Sequence, residues 1–250
     1  MPLTGTRDLA ALAAEAPLVR SLDAESVTLP GAQILQVIYE IDDAATTSLI
    51  PMALHPTIPP VVYITVTRAP ESPWGAFTLA EVRAGCRSGA RPRALLARAY
   101  CDSEAAVEVL RNKWGYPVVL GAVTLAKRYD ADHATVETAA DGVVLDVALM
   151  NPEAIGPGDV QYISSLHVAR ILRDGAELTR LIQVDPEYVF HTADRGKPLV
   201  SAFRAGAWGL EGALLSWPVS ASFTRCDITM PTIRYLVDPA KPVMQSVERI

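Results

Sequence analysis

Two residues in apolar, strand-like runs carry side chains suited to proton transfer and carboxylate binding. His167 lies in SSLHVARIL, where an imidazole could transfer protons near neutral pH or could instead be a hydrogen-bonded histidine of the core or an interface. Arg98 lies in ALLARAY, and period-two alternation places Leu96, Arg98 and Tyr100 on one strand face. If that face lines a small barrel, Arg98 could bind a carboxylate as a bidentate pair. The alternative is an outward arginine in a subunit interface.

The short motifs of several other chemistries are absent from the sequence. It has no P-loop, no GxGxxG, no HExxH, no GxSxG and no SxxK. The histidines include no i, i+4 pair, so a metal site has no local support, and the lack of a CxxC pair excludes a zinc ribbon and a dithiol redox site. We therefore expect neither a metal nor another cofactor. The histidines are His55, His133, His167 and His191, and the cysteines are Cys86, Cys101 and Cys226.

Composition and charge limit the classes of partner. The 250 residues are 50% hydrophobic and 20% charged, which is typical of a globular protein. The net charge of −6 argues against nucleic-acid binding, which needs a basic surface. No apolar run approaches the ~20 residues of a membrane helix. Arg7, Asp8 and Glu15 interrupt the N-terminal stretch, whereas a signal peptide has an uninterrupted apolar core. We expect a cytoplasmic protein whose partner is a small molecule rather than nucleic acid or a membrane.

The elements that must position these residues are mostly short strands. Prolines and glycines divide the chain into β-rich runs at fairly regular spacing, a pattern typical of a sandwich or barrel, and we interpret residues 1–250 as one domain. Helical signals are few, and Ser103–Lys113 is the clearest because Ser103 can cap its start and Gly115 can end it. The other predicted helices are Thr6–Ala16 and Asp43–Ile50. The predicted strands are Gln33–Tyr39, Val61–Thr67, Ala94–Tyr100, Val118–Leu125, Gly142–Met150, Leu166–Leu172, Leu178–Val184, Ala213–Trp217 and Ile228–Val237.

One stretch of sequence resembles a known family. Tyr100–Gly121 reads YCDSEAAVEVLRNKWGYPVVLG and is similar to the acetoacetate decarboxylase superfamily, whose members follow a helix with W/Y-G-F/Y-P-K-K-L-G. Val37–Pro51, Ala207–Trp208 and Cys226–Pro239 resemble further family segments in the same order. The resemblance implies a mostly β, α+β fold: a cone-shaped antiparallel β-barrel with a central cavity and a few external helices. It also implies assembly into a homo-oligomer.

The departure from the family pattern falls on its chemistry. Val118 and Val119 occupy the positions of the family's two lysines, and a valine has no amine with which to form an iminium. The chain therefore looks like a divergent member that lacks the Schiff-base lysine. None of its four lysines lies in a sequence context typical of a desolvated nucleophile. The run Tyr116–Leu120, including Val118, would instead suit a pocket wall, where Tyr116 could donate a hydrogen bond to a carbonyl or simply pack.

The resemblance also assigns a carboxylate. Glu81, in FTLAEVRAG, matches a family segment that contains a pocket glutamate. In such a pocket it could act as a general acid or base with a raised pKa. The alternative is a surface carboxylate beside Arg83. Trp208 could roof the pocket or belong to the core. The arginine-rich segment Arg83–Arg98 is interpreted as a hairpin whose arginines lie on a solvated face or a subunit contact, rather than as a surface that attracts anionic ligands.

Three functions remain open from the sequence. The first is a lyase-type enzyme that acts on a small or medium oxo or carboxylic compound by acid–base chemistry without an imine, through dehydration, hydration, isomerisation, cyclisation or C–C cleavage. The second is a non-catalytic ligand-binding or structural relative, which the loss of both lysines favours. The third, a decarboxylase with an unrecognised lysine, is the least supported.

Overall fold

The structure, a computed structural model, describes residues 3–42 and 45–250. These residues form a mostly β fold with two α-helices, which confirms the predicted fold class at that level. The helices are α1 Leu9–Ala14 and α2 Glu104–Trp114. The strands are β1 Leu18–Val19, β2 Val27–Ile41, β3 His55–Pro56, β4 Val61–Ala69, β5 Phe77–Ser88, β6 Arg91–Cys101, β7 Val118–Leu120, β8 Ala122–Lys127, β9 Ala131–Thr138, β10 Gly142–Ile155, β11 Ser165–Arg173, β12 Ala176–Val184, β13 Glu187–Phe203, β14 Leu215–Met230, β15 Tyr235–Val237 and β16 Val247–Arg249.

All of these strands belong to one sheet. Its main path runs β16-β15-β12-β11-β6-β5-β4-β2-β14-β13-β10-β9-β8, and β1, β3 and β7 pair with β11, β5 and β6 beside it. Most ladders are antiparallel, and the exceptions are β1–β11, β6–β11 and β6–β7. The ladders of the described residues leave β16 and β8 unjoined, so the closed barrel that the resemblance implied is not confirmed.

The helices follow the capping signals of the sequence. The Ser103 hydroxyl accepts a hydrogen bond from the Ala106 N–H at the start of α2, and Gly115 ends the helix in the left-handed conformation at φ +63°. A Cβ at Gly115 would lie 2.5 Å from Ile182 Cδ1, so the position requires glycine on two grounds. Asp8 caps α1, which is shorter than the predicted Thr6–Ala16. The predicted helix Asp43–Ile50 begins outside the described residues, and residues 45–50 form turns.

The sheet separates two buried clusters of apolar side chains. The first, the Trp208 core, contains Val82 and Trp208. The second, the α2 core, lies against α2 and contains Leu79 and Tyr116. Alternation along β5 produces this division, because successive side chains of a strand point to opposite faces. The cavity described below lies in the α2 core.

Two further observations bear on the environment of the chain. Within the described residues, no helix has the length and apolar character that crossing a membrane requires. Cys86, Cys101 and Cys226 are all buried and free.

Candidate active site

The α2 core contains a narrow cavity that is partly open to solvent, with about 570 Å³ of empty space when the open region at its mouth is included. Its walls are largely apolar and come from β2, β4, β5, α2 and the end of β14, and a small number of polar groups reach into it, as is typical of a small-molecule site. The polar lining side chains are Thr65, Thr67, Glu81, Arg83, Tyr116, Tyr162, Ser165 and Tyr188.

Strand β5 places a carboxylate and a guanidinium on one wall. Phe77, Leu79, Glu81 and Arg83 line the cavity at every second position, so a single strand face supplies both charges. Both charged side chains are buried, with Glu81 6% and Arg83 5% exposed. Buried charges are ordinarily paired or used, because removing a charge from water is costly.

Each of these two side chains keeps a polar atom without a partner. Arg83 Nη2 donates to Thr65 Oγ1 at 3.0 Å and Nη1 donates to the Ile163 carbonyl at 3.4 Å, but Nε has no hydrogen bond. Glu81 Oε1 is likewise buried without a hydrogen bond. Two residues that line the cavity therefore carry one donor and one acceptor without a hydrogen-bond partner.

Burial controls the protonation of Glu81. Desolvation raises the pKa of its carboxyl above the ordinary value, and the positive charge of Arg83 opposes that rise. A carboxyl in this setting exchanges its proton closer to neutral pH than a solvated one, which is the property that a general acid or base needs.

A serine and a histidine form a second polar group beside this wall. Ser165 Oγ lies 2.6 Å from His167 Nε2, and His167 Nδ1 lies 3.1 Å from the Trp114 carbonyl oxygen. His167 is fully buried, and burial lowers its pKa to about 3. The imidazole is therefore neutral at physiological pH and is a weak base. Ser165, not His167, lines the cavity.

Tyrosines close the remaining polar surface. The Tyr116 ring packs on His167 with centroids 3.9 Å apart, and burial together with the nearby Glu81 raises the pKa of the Tyr116 phenol well above its ordinary value. Tyr162 is hydrogen-bonded to Thr224 Oγ1 at 2.7 Å and packs edge-on against Tyr188. Burial raises the pKa of all three phenols, which therefore remain protonated at neutral pH.

The structure brings together only part of the predicted site. Glu81 and Tyr116 line the cavity, and His167 lies directly behind Tyr116. Val118 is buried in the α2 core but is not a lining residue, and Val119 is 38% exposed.

Two predicted binding residues lie elsewhere, which corrects their expected position. Arg98 forms an ion pair with Glu15 on a surface pocket that Arg7 also lines, because β6 presents its side chain to α1 rather than to the cavity. Trp208 belongs to the Trp208 core, where it packs edge-on against Tyr100 with centroids 4.9 Å apart. It occupies the opposite side of the sheet from the cavity.

Sequence reasoning does not identify Arg83, Ser165, Tyr162 and Tyr188 as lining residues. The spacing of Arg83 is the available signal for its position. Arg83 lies two residues after Glu81, so on a strand the two side chains share the face that Phe77 begins. Tyr162 precedes β11 in irregular structure, and no local pattern marks it.

The comparisons with known proteins decide the family. The acetoacetate decarboxylase (ADC) family model matches residues 15–188, which is more than half of the chain. The chain belongs to the acetoacetate decarboxylase family. No curated protein matches it.

Solved structures share the fold of this chain at low sequence identity. Acetoacetate decarboxylase from Legionella pneumophila superposes with a TM-score of 0.74 at 16% identity, over 84% of this chain and 86% of that one. An acetoacetate decarboxylase-like enzyme from Sphingomonas wittichii RW1 gives a TM-score of 0.67 at 16% identity, over 85% and 94%. The enduracididine biosynthesis enzyme MppR, complexed with pyruvate, gives 0.64 at 11% identity, over 84% and 88%.

Proposed function

We propose that this acetoacetate decarboxylase family member is a lyase-type enzyme that converts a small carboxylate bearing an oxygen function by acid–base chemistry without an imine. The observation that carries the proposal is the pair of buried, incompletely hydrogen-bonded charged side chains, Glu81 and Arg83, on one wall of an apolar cavity. Dehydration, hydration, isomerisation, cyclisation and C–C cleavage all lie within this class.

Arg83 is the proposed carboxylate anchor. Thr65 and the Ile163 carbonyl hold two of its nitrogens, which fixes the guanidinium plane and leaves Nε free for an anion. A planar guanidinium binds carboxylates with geometric specificity, and burial strengthens the attraction. MppR binds pyruvate, an oxo acid, in the same fold, which supports an acidic ligand for this cavity.

Glu81 is the proposed proton-transfer group. The residue lines the cavity, its Oε1 has no hydrogen-bond partner, and its raised pKa suits exchange of a proton with a bound molecule. Tyr116, protonated and close enough for Glu81 to influence its pKa, is the proposed hydrogen-bond donor to the oxygen function of the ligand.

The absence of an accessible amine supports a route without an imine. All four lysines lie within the described residues, and none lines the cavity. Lys113 and Lys127 are paired with Asp23 and Asp194 at the surface. Lys241 is paired with Asp238, and Lys197 is an exposed residue of β13.

A non-catalytic ligand-binding relative is the second candidate. The largely apolar walls and the weak basicity of His167 favour it, because both suit retention of a ligand better than its conversion. In this alternative Arg83 still binds the carboxylate and Glu81 transfers no proton.

We also propose a homo-oligomer in the cytoplasm. Trp217 and Val219, two residues apart on β14, are exposed large apolar side chains, and such exposed apolar surface commonly marks an interface. The three free, buried cysteines suit a reducing compartment.

The experiment that tests the carboxylate anchor, on which the proposed function depends and which the second candidate shares, compares the binding of small carboxylates to the wild type and to Arg83→Met by isothermal titration calorimetry. Loss of a buried charged partner predicts affinity weaker by on the order of 10²-fold or more. Arg87→Met is the matched control, because Arg87 lies on the same strand but is exposed. Carboxylate affinity that is equal in both variants contradicts the proposal.

A further inference from the structure

The hydrogen bonds around His167 fix the direction in which Ser165 can bond. The Trp114 carbonyl oxygen can only accept, so the proton of that contact is on His167 Nδ1. A neutral imidazole carries one N–H, and Nε2 is therefore an acceptor. Ser165 Oγ, 2.6 Å from Nε2, donates its single proton to it.

The surroundings of His167 maintain this arrangement. The ring is fully buried beneath Tyr116, and burial and the charge of Arg83 both disfavour the imidazolium that would reverse the contact. With its proton committed, the Ser165 hydroxyl presents only lone pairs to the cavity that it lines.

Ser165 and Arg83 occupy nearby positions of one sheet face. Across the ladders, Arg83 pairs with Leu96 and Leu96 pairs with His167, so these residues form one row. Ser165 lies two residues before His167 on β11 and therefore points to the same side. One cavity thus contains a hydrogen-bond donor, Arg83 Nε, and a hydroxyl that can only accept.

We propose that Ser165 is a specificity-determining residue that selects ligands with a hydroxyl donor, so that the substrate class of this site is a small hydroxy carboxylate, with its carboxylate on Arg83 and its hydroxyl donating to Ser165 Oγ. This inference rests on the proposed function, since it takes Arg83 as the carboxylate anchor. An oxo group at the same place would meet the lone pairs of Ser165 and gain no hydrogen bond there. An alkyl group would leave those lone pairs unpaired.

The test measures binding of matched ligands by isothermal titration calorimetry. The probes are 3-hydroxybutyrate, acetoacetate and butyrate, together with lactate, pyruvate and propionate, so that each set differs only in its oxygen function. We expect the wild type to bind the hydroxy acid of at least one set about 2- to 12-fold more tightly than its oxo and deoxy counterparts, the effect of one hydrogen bond. Ser165→Ala should abolish that preference, and Ser164→Ala, at the neighbouring position, should keep it.

A second variant examines the hydrogen-bond direction itself. His167→Phe keeps a ring in the buried site but removes the acceptor, which frees the Ser165 proton for the ligand. The preference should then shift from the hydroxy acid toward the oxo acid. A merely structural role for His167 would weaken all ligands alike and leave the ratio unchanged.

The outcomes separate this inference from the proposed function. Arg83-dependent binding with no preference for the hydroxy acid in the wild type contradicts the inference alone, whether or not the variants fold. A preference that survives Ser165→Ala also contradicts it. Failure of every carboxylate to bind in an Arg83-dependent manner contradicts the proposed function, and the inference with it.

Discussion

Glu81 and Arg83 lie two positions apart on β5, and their side chains share the strand face that lines the cavity. Both are almost fully buried, yet Glu81 Oε1 and Arg83 Nε have no hydrogen-bond partner. They also form no ion pair with each other among the contacts of the described residues, although the charge of Arg83 lowers the pKa of the Glu81 carboxyl against the larger effect of burial. A ligand that accepts a hydrogen bond from Arg83 Nε and donates one to Glu81 Oε1 would complete both groups.

The first prediction concerns the stability cost of Glu81. Because burial raises its pKa in the folded state, the folded protein holds this proton more tightly than the unfolded chain does. The stability from this group is therefore complete below the ordinary carboxyl pKa and is lost as pH rises through the folded-state pKa. Glu81→Gln should raise the melting temperature at pH 7 to 8, by about 2–4 °C for each kcal/mol gained, and should have little effect near pH 4.

Calorimetric melting curves across pH 4 to 8 check this expectation. Glu71→Gln is the control, since Glu71 is exposed and should show no comparable difference. A Glu81→Gln protein that is less stable than the wild type at pH 8 would show that Glu81 is held by an interaction that outweighs its desolvation.

The second prediction concerns the missing amine. Borohydride added in the presence of a β-keto acid should leave the protein mass unchanged, because no lysine lines the cavity and valines stand at the family's lysine positions. Intact-protein mass spectrometry makes the measurement, with a sample lacking the keto acid as control. A stable adduct mapped to Lys113 or Lys127 would restore the decarboxylase mechanism.

The third prediction uses the corrected positions of Arg98 and Trp208. Arg98→Gln removes an ion pair with the exposed Glu15, and such pairs contribute little, so carboxylate affinity should change less than about 3-fold. Trp208→Phe should lower the melting temperature with little change in affinity, because Trp208 fills the core on the other side of the sheet. Titration calorimetry and melting curves separate the two effects. A loss of affinity in Arg98→Gln comparable to that in Arg83→Met would return Arg98 to the site.

Much of the secondary structure can be predicted from local signals. The cap at Ser103 and the stop at Gly115 place α2 within one residue at each end. The strands β5 and β13 escape prediction because their apolar periodicity is interrupted: β5 mixes small residues with arginines, and β13 alternates exposed polar residues along much of its length. Their pairing partners decide their conformation, and a single sequence does not display them.

The site is predictable only where the family pattern marks it. The resemblance assigns Glu81, whereas Arg83, two residues later, reads in the sequence as part of a solvated arginine face. The hairpin of β5 and β6 does form, but Arg83 is buried, and the segment before β11 reaches it, since Arg83 Nη1 donates to the Ile163 carbonyl. Which strand face becomes covered depends on contacts distant in sequence. The protonation of the Ser165–His167 pair depends likewise on the Trp114 carbonyl, far away in the chain.

The most direct test of the central claim is whether Glu81 transfers a proton to or from a bound carboxylate. Deuterium uptake from D₂O at the carbon beside the oxygen function can be followed by NMR for small oxo and hydroxy acids, whatever the eventual product. If Glu81 transfers the proton, we expect the wild type to accelerate deuterium uptake for at least one acid. Glu81→Gln should slow this uptake about 10²- to 10⁴-fold while binding is retained. Uptake that is equally fast in Glu81→Gln, or no acceleration for any acid that binds at Arg83, would contradict the account and leave the chain as a binding protein.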